Sequence, residues 1–219
     1  MSRTSFLRLF PTPRYLSMPA AGIDISDQSV KFIQLASRGG KIVIERYGEK
    51  PIPVGTIESG AIRDDAALVK VLSELREEYR LTEVVASMPE EEAYIVRLAL
   101  PARRPSEIRE SIELQLEEHV PLPAGETVFD YEVLEAPPAD EGTYELAVSA
   151  LPQKTVVGYT AAFTAARLRS VAFEIEAHAI VRAIVPKGED RPVMIVDFGK
   201  TRTSFFVTCG WTVVFSATA

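Results

Sequence analysis

One cysteine, Cys209, and two histidines, His119 and His178, are all the thiol and imidazole metal ligands that 219 residues hold. A single thiol excludes a disulfide within the chain and any cysteine-rich metal centre, and it is compatible with a reducing compartment. The histidines stand far from metal-ligand spacing; His119, near the end of a helical pattern, reads as a partner for terminal carbonyls. The Gly-x-Ser-x-Gly elbow of many hydrolases does not occur. No apolar run approaches the roughly 18 residues of a membrane-crossing helix. Positive charge is also short: 24 Lys and Arg face 31 Asp and Glu, for a formal charge of −7. Nucleic acid is therefore not an expected partner, because that binding rests on clustered cations neutralising phosphates.

What remains is an ordinary folded composition, 47% hydrophobic and 25% charged, long enough for one or two domains. Residues 1–20 differ from the rest. They carry Arg3, Arg8 and Arg14 among Phe6, Leu7, Leu9, Phe10, Tyr15, Leu16 and Met18, and Arg8 interrupts the apolar stretch that a secretory leader needs. This reads as a basic apolar tail, with contact to an anionic membrane surface or a partner as its functional alternative.

From Gly22 to Leu35 the apolar positions alternate as strand, turn, strand, and Lys41 to Tyr47 adds a third strand. Asp64 is placed to cap a helix running to about Arg80, followed by a strand over Thr82 to Met88. Residues 21–88 form a first unit. Residues 89–167 read as an insert of strand, helix, strand, strand, helix: Tyr94 to Leu100, a helix capped by Ser106, Val128 to Leu134, Tyr144 to Leu151, then a final helix. Within it, Glu107, Glu110, Glu113, Glu117 and Glu118 form a solvated helix face, and Glu90-Glu91-Glu92 reads as an exposed loop. Residues 168–190 return to the first unit with a strand over Ser170 to Ile175 and a helix through Ile184. Residues 191–219 then open a second strand, turn, strand unit, with a third strand from Trp211, which reads as only the start of a second domain.

That last unit repeats the first. Gly22-Ile23-Asp24-Ile25-Ser26-Asp27-Gln28-Ser29-Val30-Lys31 and Val196-Asp197-Phe198-Gly199-Lys200-Thr201-Arg202-Thr203 share an aspartate at a strand end, a small residue two positions on, and a polar turn. Small residues let backbone N–H groups approach phosphate oxygens, hydroxyls at Ser26, Ser29, Thr201 and Thr203 add donors, and aspartate suits Mg²⁺, which keeps much of its water. One such turn means little, since Asp and Gly favour hairpin turns for conformational reasons; two in matched contexts suggest facing grips on a nucleotide's phosphates. Between them, Glu176 opens a helix, where an acid can orient an attacking water or simply complement the helix dipole.

These residues resemble the actin-like ATPase superfamily, an α/β (ribonuclease H-like) fold shared by actin, sugar kinases, heat-shock chaperones and the cell-division protein FtsA. The finer similarity is to the PilM family of type IV pilus assembly, through GIDISDQSVKFIQL and through the helix from Ile108 to Val120 that leads by Pro121-Leu122-Pro123 into Val128-Phe129-Asp130-Tyr131. The resemblance implies a complete first domain with a subdomain 1C-type insert, and ATP and Mg²⁺ held by Asp24, Ser26, Gln28, Ser29, Lys31, Asp197, Gly199, Lys200, Thr201 and Thr203. Asp24 and Asp197 would serve the metal through water, and Glu176 would be the catalytic candidate. It implies a PilN-like inner-membrane protein whose cytoplasmic peptide binds between subdomains 1A and 1C, a pilus assembly platform, and a cytoplasmic place at the inner face of the inner membrane, reached through that partner. An FtsA-like or secretion-system adaptor and a small-molecule kinase are the alternatives within the fold. Here Ser26 stands in place of a glycine and Asp27 adds a negative charge, which Lys200 and Arg202 are available to offset.

Overall fold

The computed structural model describes residues 20–101, 105–134, 143–200 and 202–219. The tail expected over residues 1–20, apart from Ala20, lies outside them, as do Thr201 and the whole loop at 136–142.

Alternating apolar residues build a first sheet whose strand order is β10-β6-β1-β2-β3, from β1 (Ala21–Ile25), β2 (Ser29–Arg38), β3 (Lys41–Pro51), β6 (Glu83–Met88) and β10 (Arg169–Ile175). β1 pairs antiparallel with β2 and parallel with β6, and β6 pairs parallel with β10. Parallel neighbours need long crossovers, and helices supply them. α1 (Asp65–Tyr79) starts where Asp64 Oδ1 accepts the Ala67 N–H at 2.9 Å, so the expected cap is present. Its Leu68, Leu72 and Leu75 are fully buried against Ile23 and Ile25.

The hairpin of β4 (Ile57–Glu58) and β5 (Ala61–Ile62) was not expected. Strands of two residues carry too little periodicity to be seen in sequence.

The insert has a sheet of its own, ordered β7-β9-β8, from β7 (Tyr94–Pro101), β8 (Thr127–Val133) and β9 (Thr143–Pro152). Helix α2 (Pro105–His119) covers it, with Ile108, Ile112 and Leu116 packing on Leu98, Leu146 and Val148 in a core separate from the larger one. The helix begins at Pro105, so Ser106 lies within its first turn rather than at the cap expected for it; a proline fits there because a first-turn N–H has no partner within the helix. Glu110, Glu113, Glu117 and Glu118 are exposed, as a solvated face requires. Helix α3 (Gln153–Ala165), grouped with the insert in sequence, instead packs Tyr159, Ala162 and Phe163 into the larger core.

α4 (Glu176–Ile184) connects to a second sheet, β11 (Val193–Phe198), β12 (Thr203–Cys209) and β13 (Thr212–Thr218). One face of that sheet, with Ile195, Phe206 and Val213, joins the larger core. Trp211 Nε1 donates to the Val185 and Pro186 carbonyls, each at 3.1 Å, and so ties the β12–β13 turn to the linker.

Candidate functional site

The two turns are alike in register as well as in sequence. Asp24 lies opposite Lys31 and Ile25 opposite Val30; Asp197 lies opposite Ser204 and Phe198 opposite Thr203. In the first turn the Ser26 N–H donates to the Ser29 carbonyl at 3.0 Å, and in the second the Gly199 N–H donates to the Arg202 carbonyl at 2.9 Å. Asp24 corresponds to Asp197, Ser26 to Gly199 and Ser29 to Arg202.

Ser26 takes the glycine-like place without strain, because its φ is not positive. Its Oγ accepts the Ser29 N–H at 3.2 Å and the Gln28 N–H at 3.4 Å. Those two amides, expected to face phosphate, turn inward on the serine hydroxyl. Ser29 is buried and Gln28 exposed. Gly199 is fixed by close approach: a Cβ there would meet the Arg202 carbonyl oxygen at 3.0 Å. Lys200 is exposed and Thr203 half-buried beside it.

Asp24, Lys31 and Glu176 line one cleft of about 610 Å³ between the first sheet and α4. Alternation along β1 sends Ile23 and Ile25 to the core and Gly22 and Asp24 to the cleft. Ser87, without a local signal in the sequence, donates its Oγ–H to Asp24 Oδ1 at 2.7 Å and orients that carboxylate. Glu176 begins α4 at the end of β10. Its carboxyl is pushed up to about 7, first by burial and then by the charges of Asp24, Asp197 and Glu90, with Lys31 opposing. Asp197 thus acts electrostatically on the same acid as Asp24, although the two aspartates belong to different sheets. Such an array calls for a cation. Among the described residues no three His, Cys, Asp or Glu side chains are grouped to hold a metal directly, so a divalent ion would rest on one or two carboxylates with water and phosphate, as Mg²⁺ commonly does. Asp24 and Glu176 are the carboxylates of this cleft that would suit a hydrated divalent cation.

Two expectations are overturned. The charge of Asp27, which Lys200 and Arg202 were available to offset, is met by backbone N–H groups: Oδ2 accepts the Ser59 N–H at 3.1 Å and Oδ1 the Gly60 N–H at 3.3 Å. Gly60 has φ +78°, and a Cβ on it would lie 2.4 Å from Pro89 Cβ, so the β4–β5 hairpin is held tightly behind the first turn. Nor is Glu90-Glu91-Glu92 an exposed loop. It forms a 3₁₀ turn in which Glu90 is 4% exposed and accepts the Ala177 N–H at 3.2 Å. Glu91 pairs with Arg202, and Glu92 accepts from Thr155 Oγ1 at 3.0 Å. Arg202 therefore compensates Glu91 rather than Asp27. A run of three glutamates resembles a solvated loop; the buried partners that keep it inside are distant in sequence.

Two strand-turn-strand units of one register, joined through a helix that begins with an acid, define a protein of the actin-like ATPase fold. Residues 22–218 match the family described as type IV pilus assembly protein PilM. The chain belongs to that family. Among solved structures it is similar to a PilM-PilN type IV pilus biogenesis complex (TM-score 0.78, 23% identity), covering 92% of this chain and 61% of that one. It is also similar to the cytoplasmic domain of EpsL, an inner-membrane component of the type II secretion system of Vibrio cholerae (TM-score 0.59, 8% identity, 91% of this chain and 70% of that one). A third is the ethanolamine utilization protein EutJ from Carboxydothermus hydrogenoformans (TM-score 0.51, 12% identity, 91% and 51%). The chain thus spans about 61% of the chain it matches in that complex.

Proposed function

We propose that this chain is a nucleotide-responsive scaffold of pilus assembly, acting in the cytoplasm at the inner face of the inner membrane. It binds ATP with Mg²⁺ between its two turns and receives the cytoplasmic peptide of a PilN-like membrane protein beside the insert. The observation that carries the nucleotide reading is the one-for-one correspondence of the turns, with Asp24 and Asp197 both acting on Glu176.

Asp24, oriented by Ser87, and Asp197 would hold a metal through water. Lys31, opposite Asp24 and lining the same cleft, would supply a cation to a phosphate oxygen. When bound, Mg²⁺ supplies the positive charge that offsets these carboxylates and stabilises an ionised Glu176. With its carboxyl near 7, Glu176 is suited to holding a water by hydrogen bond and to accepting its proton near neutral pH; the preference for a scaffold over a kinase is supported by family membership. The peptide reading is supported by family membership and by the insert's separate core, which meets α4 through Ser149 Oγ and His178 Nε2 at 3.0 Å. Among the described residues no helix is long and apolar enough to cross a membrane, which fits attachment through a partner.

Titration with fluorescent ATP, with and without Mg²⁺, and separately with a peptide from the cytoplasmic start of the adjacently encoded single-span protein, tests both parts. Peptide binding with Mg²⁺-dependent, Asp24→Asn-sensitive nucleotide binding and little turnover is expected. Rapid turnover stimulated by a small-molecule phosphate acceptor overturns the scaffold reading.

A further inference from the structure

The 3₁₀ turn Glu90–Glu92 leads from β6 into the insert, and each of its carboxylates is committed to a different element. Glu90 accepts from the first turn of α4. Glu92 accepts from Thr155 on α3. Glu91 pairs with Arg202, the residue whose own carbonyl closes the second turn. The pair is largely withdrawn from water, with side-chain exposures of 21% for Arg202 and 11% for Glu91, so its charges are little screened by salt. Removing one partner leaves the other a poorly solvated charge. The guanidinium therefore has two potential claimants: the carboxylate at the root of the insert, and any anion seated in the turn that Arg202 closes.

We propose that the Glu91–Arg202 ion pair couples anion occupancy of the second turn to the anchoring of the insert, because bound phosphate and Glu91 compete for one guanidinium. This rests on the nucleotide reading above. It assigns Glu91 as a positioning residue that touches no ligand, and it makes the coupling reciprocal: what loosens the insert strengthens the anion site, and the reverse. The other contacts of the turn, Glu90 with α4 and Glu92 with α3, do not involve Arg202 and persist when the pair opens. The insert is thus released at one of three points rather than detached.

Two arms test it, using Glu91→Gln, which keeps the side chain's shape and removes its charge. Circular dichroism melting first establishes that the variant folds. Without ligand, amide hydrogen exchange over residues 88–101 is expected to rise at least about five-fold in the variant, since local opening follows lost contacts; unchanged exchange overturns the latch, whatever nucleotide does. With Mg²⁺–ATP, the natural chain is expected to show raised exchange over the same residues. The variant should bind about five-fold or more tightly and show no further rise, a factor at the lower end of usual coupling. Binding of equal strength by both chains overturns the competition alone. Absence of binding by both overturns the nucleotide reading, and the coupling with it.

Discussion

Burial and neighbouring aspartates hold the Glu176 carboxyl at about 7, above its ordinary 4.5. An acid whose folded value is raised favours the folded state while protonated. Its contribution is complete below pH 4.5, declines as pH rises through 7, and stays lost above. Glu176→Gln is therefore expected to match the natural chain near pH 4 and to exceed its stability at pH 8 by on the order of 1–3 kcal/mol. Urea unfolding at the two pH values measures this; parallel curves would show that the acid is not held among acids. Asp24, Asp197 and Glu176 were legible as single residues because each sits at a strand end or helix start with a local pattern. Ser87 and Glu90 were not. Ser87 reaches Asp24 through the parallel pairing of β1 with β6, and Glu90 reaches Ala177 across most of the first domain; neither relation leaves a short-range trace.

At the scale of elements, periodicity revealed the long strands and helices, and the Asp64 cap marked the start of α1. The β4–β5 hairpin escaped because it is shorter than one period of evidence, although it holds Asp27 and therefore sets the charge behind the first turn. The membership of α3 was equally hidden: its apolar residues show that it is buried, not in which core. The two cores make a prediction. Ile112 is fully buried in the insert and Leu72 in the larger core. Ile112→Ala should cost about 2–5 kcal/mol, expressed mainly as loss of amide protection in β7, β8 and β9, whereas Leu72→Ala should weaken β1, β2 and β6. Hydrogen exchange read strand by strand distinguishes them, and uniform loss in both variants would show one cooperative unit.

For the whole molecule, the second sheet leaves one face uncovered among the described residues. Met194, Val196, Phe198 and Phe215 are exposed there, Phe198 at 81%, while the opposite face joins the core. Contiguous apolar surface of this kind favours association. The double change Met194→Ser and Phe198→Ser should lower binding of a hydrophobic dye and raise the concentration at which light scattering appears, without lowering the melting temperature. A large drop in that temperature would mean that the face is packed.

Local chemistry was sufficient for the sequence alone to determine the repeated acidic turn, the order of the main elements, the insert and the family they indicate. Strand alternation, caps and turn residues act over a few positions and can be read there. Tertiary structure decided how those pieces act on each other: that Asp24 and Asp197 both raise Glu176, that Ser26 closes its own turn, and that the three glutamates at the root of the insert each take a partner, with Glu90 buried. Burial and charge coupling depend on distance in space, and the pairing of β1 with β6 and the packing of the second sheet against α4 set those distances.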